Sequence, residues 1–313
     1  MSYYVGIDLG GTNIAVGVVD EDYRIVGRAN EKTKAFHPAE EIADDMAATA
    51  RRAVENAGVT FDEVAWVGVG TPGTVNPETG MVGLAANLGF HDTPLGMLVA
   101  ERLGKKVYVE NDANAAAYGE LMAGAAKGLD SVILITLGTG VGGGVIVNGK
   151  VIDGAHGAGG EIGHITVNPH ETAVCGCGKR GCLEQYSSAT GVVRCMKKLL
   201  DANPDTACTL RGKDFEAKDV FDAARAGDAL AAREVDEMAS TLGMALANIA
   251  ATTDPEMFMI GGGVARAGEV LFTPLVRHYK EYAFQSCKET PIKAASLGND
   301  AGIYGAVRLI VGA

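Results

Sequence analysis

Basic residues are what this chain is short of. Lys and Arg number 27 against 39 Asp and Glu, giving a formal net charge of -12. A nonspecific nucleic-acid binder shows a basic face, and none can be assembled from this composition. No apolar run reaches the length that spans a bilayer. The opening residues, MSYYVGIDLGG, carry neither the basic region nor the apolar region of a secretory leader. No low-complexity linker divides the chain, and no GK[ST] follows a glycine turn, which excludes a Walker A loop. Six cysteines, three of them crowded together, fit a reducing cytoplasm and a metal site better than a secreted disulfide framework. A cytoplasmic protein with no membrane and no nucleic-acid partner is therefore expected.

Hydrophobic residues make up 47% and charged residues 21% of the 313 positions, enough for a large core in one domain or two lobes. The 43 glycines call for tight turns and close approach of backbone to ligand. Strands are predicted at Tyr3–Asp8, Ile14–Val19 and Arg24–Asn30, forming a meander with a glycine turn after the first strand. A helix follows over Pro38–Ala57, closed by Gly58. Then come a buried strand Val64–Gly70, the turn Thr71-Pro72-Gly73, a helix Thr93–Leu103, a strand Val107–Glu110 and a helix Asp112–Ala125.

The meander then recurs as Val132–Leu137, the turn Gly138-Thr139-Gly140, Gly143–Val147, an Asn148-Gly149 hairpin and Lys150–Asp153. Aligning Gly10 with Gly138 puts Val5 on Ile133, Ile7 on Ile135, Leu9 on Leu137 and Val18 on Ile146. The remaining elements are helices Ala189–Ala202, Asp214–Ala226 and Ala229–Thr252, a strand Met257–Ile260 before Gly261-Gly262-Gly263, a helix Glu269–Phe284, a strand Pro291–Ala295 and a last helix Asp300–Ile310.

Glu161–Glu184 concentrates the chemistry. His164 lies eleven residues before Cys175, and Cys177 and Cys182 follow closely. Three thiolates and one imidazole make a four-ligand set for tetrahedral zinc; a closed set is structural and not hydrolytic. The alternative is three free buried thiols and an unrelated histidine. Cys195, Cys208 and Cys287 are scattered and read as small apolar residues.

Asp8, Gly10, Gly11 and Thr12 place a carboxylate, two glycines and a hydroxyl at a strand end. That set can hold Mg²⁺ through water and cradle phosphate with backbone N–H groups, or it can be a plain hairpin turn. Three such turns, at Gly10–Thr12, Gly138–Gly140 and Gly261–Gly263, suggest a nucleotide laid across a cleft. Asp112 follows a strand and opens an Ala-rich helix, so on its own it reads as a helix N-cap. The other reading is a general base taking a hydroxyl proton during phosphoryl transfer.

The segments DLGGTNIAVGVVD, TPG, END, LGTGVGGGV, GAHGAGGEIGH, CGCGKRGCLE and LGNDAGIYGA resemble the ROK sugar kinases, nearly end to end. The resemblance implies a two-lobed α/β fold of the actin/hexokinase (ribonuclease H-like) type with a central cleft and a zinc loop at 161–184. Residues 1–117 with the C-terminal helix 300–313 would form one lobe, and 118–299 the other. It implies that Asp112, in the Glu110-Asn111-Asp112 motif, is the catalytic base. Gly73, Asn87, Asn111, Asp112, Glu161, His164 and Glu184 would contact the sugar. Asp8, Gly10, Gly11, Thr12, Gly138, Thr139, Gly140, Gly261, Gly262 and Gly263 would hold ATP with Mg²⁺.

The expected activity is phosphorylation of the 6-hydroxyl of glucose. Phe90 stands where similar glucokinases often carry Trp, which weakens the claim on one particular sugar. Alternatives within the family are a kinase for N-acetylmannosamine, fructose or another hexose, a polyphosphate-using enzyme, or a sugar-responsive repressor. The repressor reading requires a helix-turn-helix domain, for which a first strand at Tyr3 leaves no room. An actin-like or chaperone ATPase is a further class, and GEIGH with the cysteine segment argues against it. Family members are commonly homodimers or homotetramers, and one of these states is expected here.

Overall fold

The computed structural model describes residues 2–308. In chain order the elements are β1 (Tyr3–Leu9), β2 (Asn13–Val19), β3 (Ile25–Lys32), α1 (Ala39–Asn56), β4 (Val64–Thr71), β5 (Thr74–Asn76), β6 (Met81–Ala85), β7 (Phe90–Thr93), α2 (Leu95–Leu103), β8 (Val107–Asn111) and α3 (Asp112–Ala123). They continue with β9 (Val132–Leu137), β10 (Val141–Val147), β11 (Lys150–Val151), α4 (Glu184–Ser187), α5 (Ala189–Ala202), α6 (Ala217–Arg225), α7 (Ala229–Thr253), β12 (Met257–Gly261), α8 (Glu269–Tyr282), β13 (Ile292–Ala294) and α9 (Ala301–Arg308). The predicted end of the last helix, at Ile310, lies outside the described residues.

These elements form two compact units. The first takes residues 2–132, 144–160 and 295–308; the second takes Ile133–Gly143 and Glu161–Ala294. In the first, a five-stranded sheet runs in the order β3-β2-β1-β4-β8. β1, β2 and β3 pair antiparallel, while β4 joins β1 in parallel and β8 joins β4 in parallel. Alternating apolar residues face the core: Val5, Ile7 and Leu9 of β1 are fully buried, as are Ile42, Met46 and Ala50 of α1. α1 gains its pitch of buried residues from Ile42, Ala43, Met46, Ala50, Ala53 and Val54, spaced at three and four.

Glycine decides how α9 packs. A Cβ at Gly68 of β4 would sit 1.8 Å from the Ala306 carbonyl oxygen, and one at Gly305 would sit 1.5 Å from that of Ala115. The LGNDAGIYGA segment therefore lies backbone to backbone on β4 and α3.

A second five-stranded sheet has the order β11-β10-β9-β12-β13. Its β9–β10 hairpin repeats β1–β2 as the aligned register predicts. Val5, Ile7, Leu9 and Val18, and their counterparts Ile133, Ile135, Leu137 and Ile146, are all fully buried. α7 ends at Thr253 and is capped by Asp254, which takes a left-handed φ of 43° before Pro255, the stop expected from the sequence.

A three-stranded antiparallel sheet, β5-β6-β7, was not foreseen. Its strands are three to five residues long and too short for an alternation to register. The Asn76-Pro77-Glu78-Thr79-Gly80 turn was the available signal. Asn76 Oδ1 accepts from the N–H of Glu78 at 3.1 Å and of Thr79 at 3.2 Å.

Candidate active site

In the first unit, β1 and β8 run parallel on either side of β4 and end at the same edge, which brings Asp8 and Asp112 together. Asp8 is the penultimate residue of β1. Burial, then the nearby charge of Asp112, pushes its carboxyl up to about 7. Gly302 makes room for it, since a Cβ there would lie 2.8 Å from Asp8 Cγ. After Asp8 the chain turns sharply, with Gly10 N–H donating to the Asn13 carbonyl at 2.9 Å. A cavity of about 670 Å³ opens here, lined by Asp8, Gly10, Gly11, Thr12, Arg28 and Asp300 among others. Arg28 is held by a two-pronged ion pair to Asp300, one arm of which is 2.8 Å. Asn87 borders the same turn: a Cβ on Gly11 would be 3.4 Å from its Nδ2.

The cap of α3 corrects one sequence reading. Asn111, not Asp112, is the N-cap; its Oδ1 accepts from Ala113 N–H at 2.9 Å and Asn114 N–H at 3.2 Å. The Asn111 amide also donates to the Gly73 carbonyl at 3.0 Å, so these two expected sugar contacts are tied together. Asp112 is the first helical residue, and its Oδ1 accepts from Ala113 N–H at 2.8 Å. The cap is thereby supplied by a neighbour, and Asp112 stands in the first turn of the helix close to Asp8.

Sequence reasoning missed the group behind this motif. Glu110 is 5% exposed, and its Oε1 accepts from Asn111 N–H at 2.7 Å and from Asn114 Nδ2 at 3.1 Å. Asn114 Nδ2 also reaches Asp153 Oδ1 at 3.3 Å. Burial, then the Asp153 charge, pushes the Glu110 carboxyl up to about 7. The signal was a carboxylate at the end of a buried strand, which normally needs a partner.

In the second unit, the donor atoms of His164, Cys175, Cys177 and Cys182 all lie within 4.8 Å of one another. Cys177 and Cys182 sulfurs are 3.6 Å apart, and Cys175 Sγ is 3.8 Å from His164 Nδ1. A tetrahedron with Zn–S bonds of ~2.3 Å has edges of about 3.8 Å, so both spacing and donor chemistry fit zinc. A tight turn makes the knuckle: Cys175 N–H donates to Lys179 O at 2.7 Å and Gly178 N–H to Cys175 O at 2.9 Å. Cys195 and Cys208 are half-buried and Cys287 is buried, all apart from this group.

His164 divides its two nitrogens. Nδ1 faces the thiols, while Nε2 faces Glu161 Oε2 at 3.8 Å. Glu184 sits on the other side, where its Oε1 is 3.7 Å from Cys175 Sγ and its Oε2 accepts from Val141 N–H at 3.0 Å. Glu161, His164 and Glu184 are thus brought together around the thiol cluster.

The glycine turns of this unit meet a second cavity, of about 850 Å³, lined by Thr139, Thr190, Phe215, Phe221, Gly263 and Arg266 among others. The Gly138–Gly140 turn is pinned by Ala189 N–H to Gly138 O at 2.8 Å and by Thr190 Oγ1 to Thr139 O at 2.9 Å. Gly262, at φ 82°, lies so close that a Cβ would be 2.4 Å from the Leu137 carbonyl oxygen. The turns after β9 and β12 therefore sit side by side, as neighbouring strand ends require. Phe215 and Phe221 had no motif to announce them.

A family model described as "ROK family" matches residues 4–312. The glucokinase of Halalkalibacterium halodurans is 39% identical over 310 residues, covering 97% of this chain and 93% of that protein. The crystal structure of a ROK family glucokinase from Streptomyces griseus, in complex with glucose and AMPPNP, is 40% identical with a TM-score of 0.82, covering 98% of this chain and 99% of that one. The ROK hexokinase from Thermus thermophilus is 36% identical with a TM-score of 0.83, covering 98% and 97%. The chain belongs to the ROK family and has its actin/hexokinase-like α/β fold.

Proposed function

We propose that this chain is an ATP-dependent hexose kinase that transfers the γ-phosphoryl group of ATP to the 6-hydroxyl of glucose, releasing glucose 6-phosphate and ADP. The observation that carries the proposal is the placement of Asp112. It stands on the first turn of α3, with the cap supplied by Asn111 and with Asp8 as its charged neighbour at the end of β1. A carboxylate so held can accept the sugar hydroxyl's proton as that oxygen attacks phosphorus. The similarity to proteins named glucokinase supports the choice of glucose.

Asn87, Gly73 and Asn111 bind sugar hydroxyls in this reading, and Glu161, His164 and Glu184 read the C1–C2 side of the ring. His164 Nε2, the nitrogen turned away from the thiols, faces the substrate. Backbone N–H groups of Gly10–Thr12 and Gly138–Gly140 bind phosphate oxygens. Gly261–Gly263 and the Phe215–Phe221 cavity take the adenosine, whose base matches an apolar slot with two aromatic rings. Burial, and after it the nearby charge of Asp112, raises the Asp8 carboxyl, and a divalent cation beside the two carboxylates would offset both; Mg²⁺ there would neutralise phosphate charge. Zinc on His164, Cys175, Cys177 and Cys182 would be structural, fixing the His164 ring and the loop that carries it. Positioning and electrostatics supply most of the rate. The proposal further makes the enzyme a cytoplasmic homodimer or homotetramer built of an N-terminal and a C-terminal lobe.

An ADP-release assay over a panel of hexoses, run in parallel with ATP and with polyphosphate, tests the reading. Glucose with ATP should give the highest kcat/KM. Release of ADP that is indifferent to added sugar would overturn the kinase assignment, and preference for another hexose would overturn the choice of glucose.

A further inference from the structure

A third cavity, of about 700 Å³, lies within the second unit, where α5 and α7 meet the loop between His164 and Cys175. Four carboxylates line it, and three have a basic partner. Glu171 pairs with Arg194 at 3.0 Å and Lys198 at 3.4 Å. Asp236 pairs with Arg277 and with His278 Nε2, the latter at 3.2 Å. Glu237 pairs with Arg233 at 2.8 Å. Glu234 is the exception. It is 2% exposed and lines the cavity, yet among the described residues no ion pair or hydrogen bond reaches its carboxyl. Arg194, the cation that acts on it most, is already committed to Glu171 and to the Gln185 carbonyl at 2.7 Å.

A buried carboxylate is retained at a cost unless something compensates it. With no cation beside it, burial holds the Glu234 carboxyl toward its neutral form, and one positive charge seated against it would let it ionise. The same cavity offers apolar surface from Leu199, Ala202 and Met238, which a bare metal ion cannot use. We propose that the cavity binds a small aliphatic ammonium ion, with Glu234 as its counter-ion and Leu199, Ala202 and Met238 against its alkyl chain. The site is separate from the sugar and nucleotide residues, and nothing in the proposed kinase reaction requires it. One of its walls, Glu171, belongs to the loop that spans His164 and Cys175, so an occupant would stiffen that loop.

Isothermal titration of n-butylammonium chloride into the full chain tests this, with potassium chloride at matched ionic strength as the second arm. The expected result is saturable binding at one site per chain, unaffected by potassium. Glu234→Gln, nearly identical in shape, should weaken it by at least about tenfold, because it removes one partner of a buried charge pair. Glu234→Asp should retain part of the affinity, and melting temperatures should show that both variants fold. No binding heat at millimolar amine, or equal binding by the folded Glu234→Gln chain, would overturn the proposal. Equal displacement by potassium would make it an alkali-cation site instead. A change of oligomeric state in Glu234→Gln without amine binding would assign the carboxylate to a second copy of the chain and also refute the proposal.

Discussion

Asp112→Asn isolates the proton-accepting step from the fold. The substitution keeps an oxygen where Oδ1 accepts the Ala113 N–H at 2.8 Å, and it leaves the Asn111 cap untouched. Stability should therefore change by no more than about 2 kcal/mol, the scale of one partly buried helix-end charge. Turnover should fall much further. A general base contributes roughly 10²–10⁴-fold, which is about 2.7–5.4 kcal/mol of barrier at 1.36 kcal/mol per tenfold. The loss should appear in kcat, with KM for glucose within a few-fold of the native value, because Asn87, Gly73 and Asn111 are unchanged.

A second readout follows from the electrostatics. Asp8 is held up to about 7 by burial and then by Asp112. Removing the Asp112 charge should lower the Asp8 pKa, leaving the burial contribution in place. The assay is coupled ADP release under saturating glucose and ATP, with a ¹³C carboxyl titration of metal-free protein beside it. A kcat within tenfold of native, together with an unmoved Asp8 titration, would refute both the base assignment and the pairing of the two carboxylates.

Metal analysis should find about one zinc per chain, following the four-ligand count, and Cys175→Ser should lose it and raise KM for glucose more than it lowers kcat; a folded, metal-free chain with native KM would contradict this. Glu234, in the absence of any ligand, should cost stability as pH rises: burial pushes its carboxyl up to about 8, above an unfolded value near 4.5, so the folded state binds the proton more tightly and stability falls between those limits. Melting curves of Glu234→Gln should thus gain on the native chain at pH 8.5 and not at pH 4; parallel curves across that range would sink the argument. Gly305→Ala puts a Cβ about 1.5 Å from the Ala115 carbonyl oxygen, so α9 must shift, and denaturant midpoints should report a loss of about 1–3 kcal/mol or more.

The β-meanders, the long helices and the thiol cluster were legible because each obeys a local rule. Alternation in β1 and β9, the Ala-rich run of α7 with its Asp254-Pro255 stop, and the crowding of Cys175, Cys177 and Cys182 need no knowledge of distant contacts. The little β5-β6-β7 sheet lacked length for such a rule. Helix α3 shows a subtler limit. Both Asn111 and Asp112 are good caps by composition, and only the hydrogen bonds to Ala113 and Asn114 assign the role. Glu110 and Glu234 were invisible for a different reason. A buried carboxylate is defined by what surrounds it, and the Asp153 charge beside Glu110 and the already committed Arg194 near Glu234 are brought there by the fold and not by sequence order.

Glu184 gives the thiol cluster its reach. One carboxyl oxygen stands 3.7 Å from the Cys175 sulfur, and the other accepts the Val141 N–H at 3.0 Å, directly after the Gly138–Gly140 turn. Gly140 must lack a side chain for this to hold, since a Cβ would lie 2.4 Å from the Glu184 oxygen. The same residue therefore touches the cysteine loop and the Gly138–Gly140 turn while also being a sugar contact in the proposed mechanism. A metal that fixes Cys175 fixes the first of these contacts and, through one rigid carboxylate, constrains the second. The loop at 161–184 is then more than a clamp on His164. Its loss would loosen the Gly138–Gly140 turn as well, so metal removal should weaken nucleotide binding in the absence of sugar, an effect that a role confined to His164 does not produce.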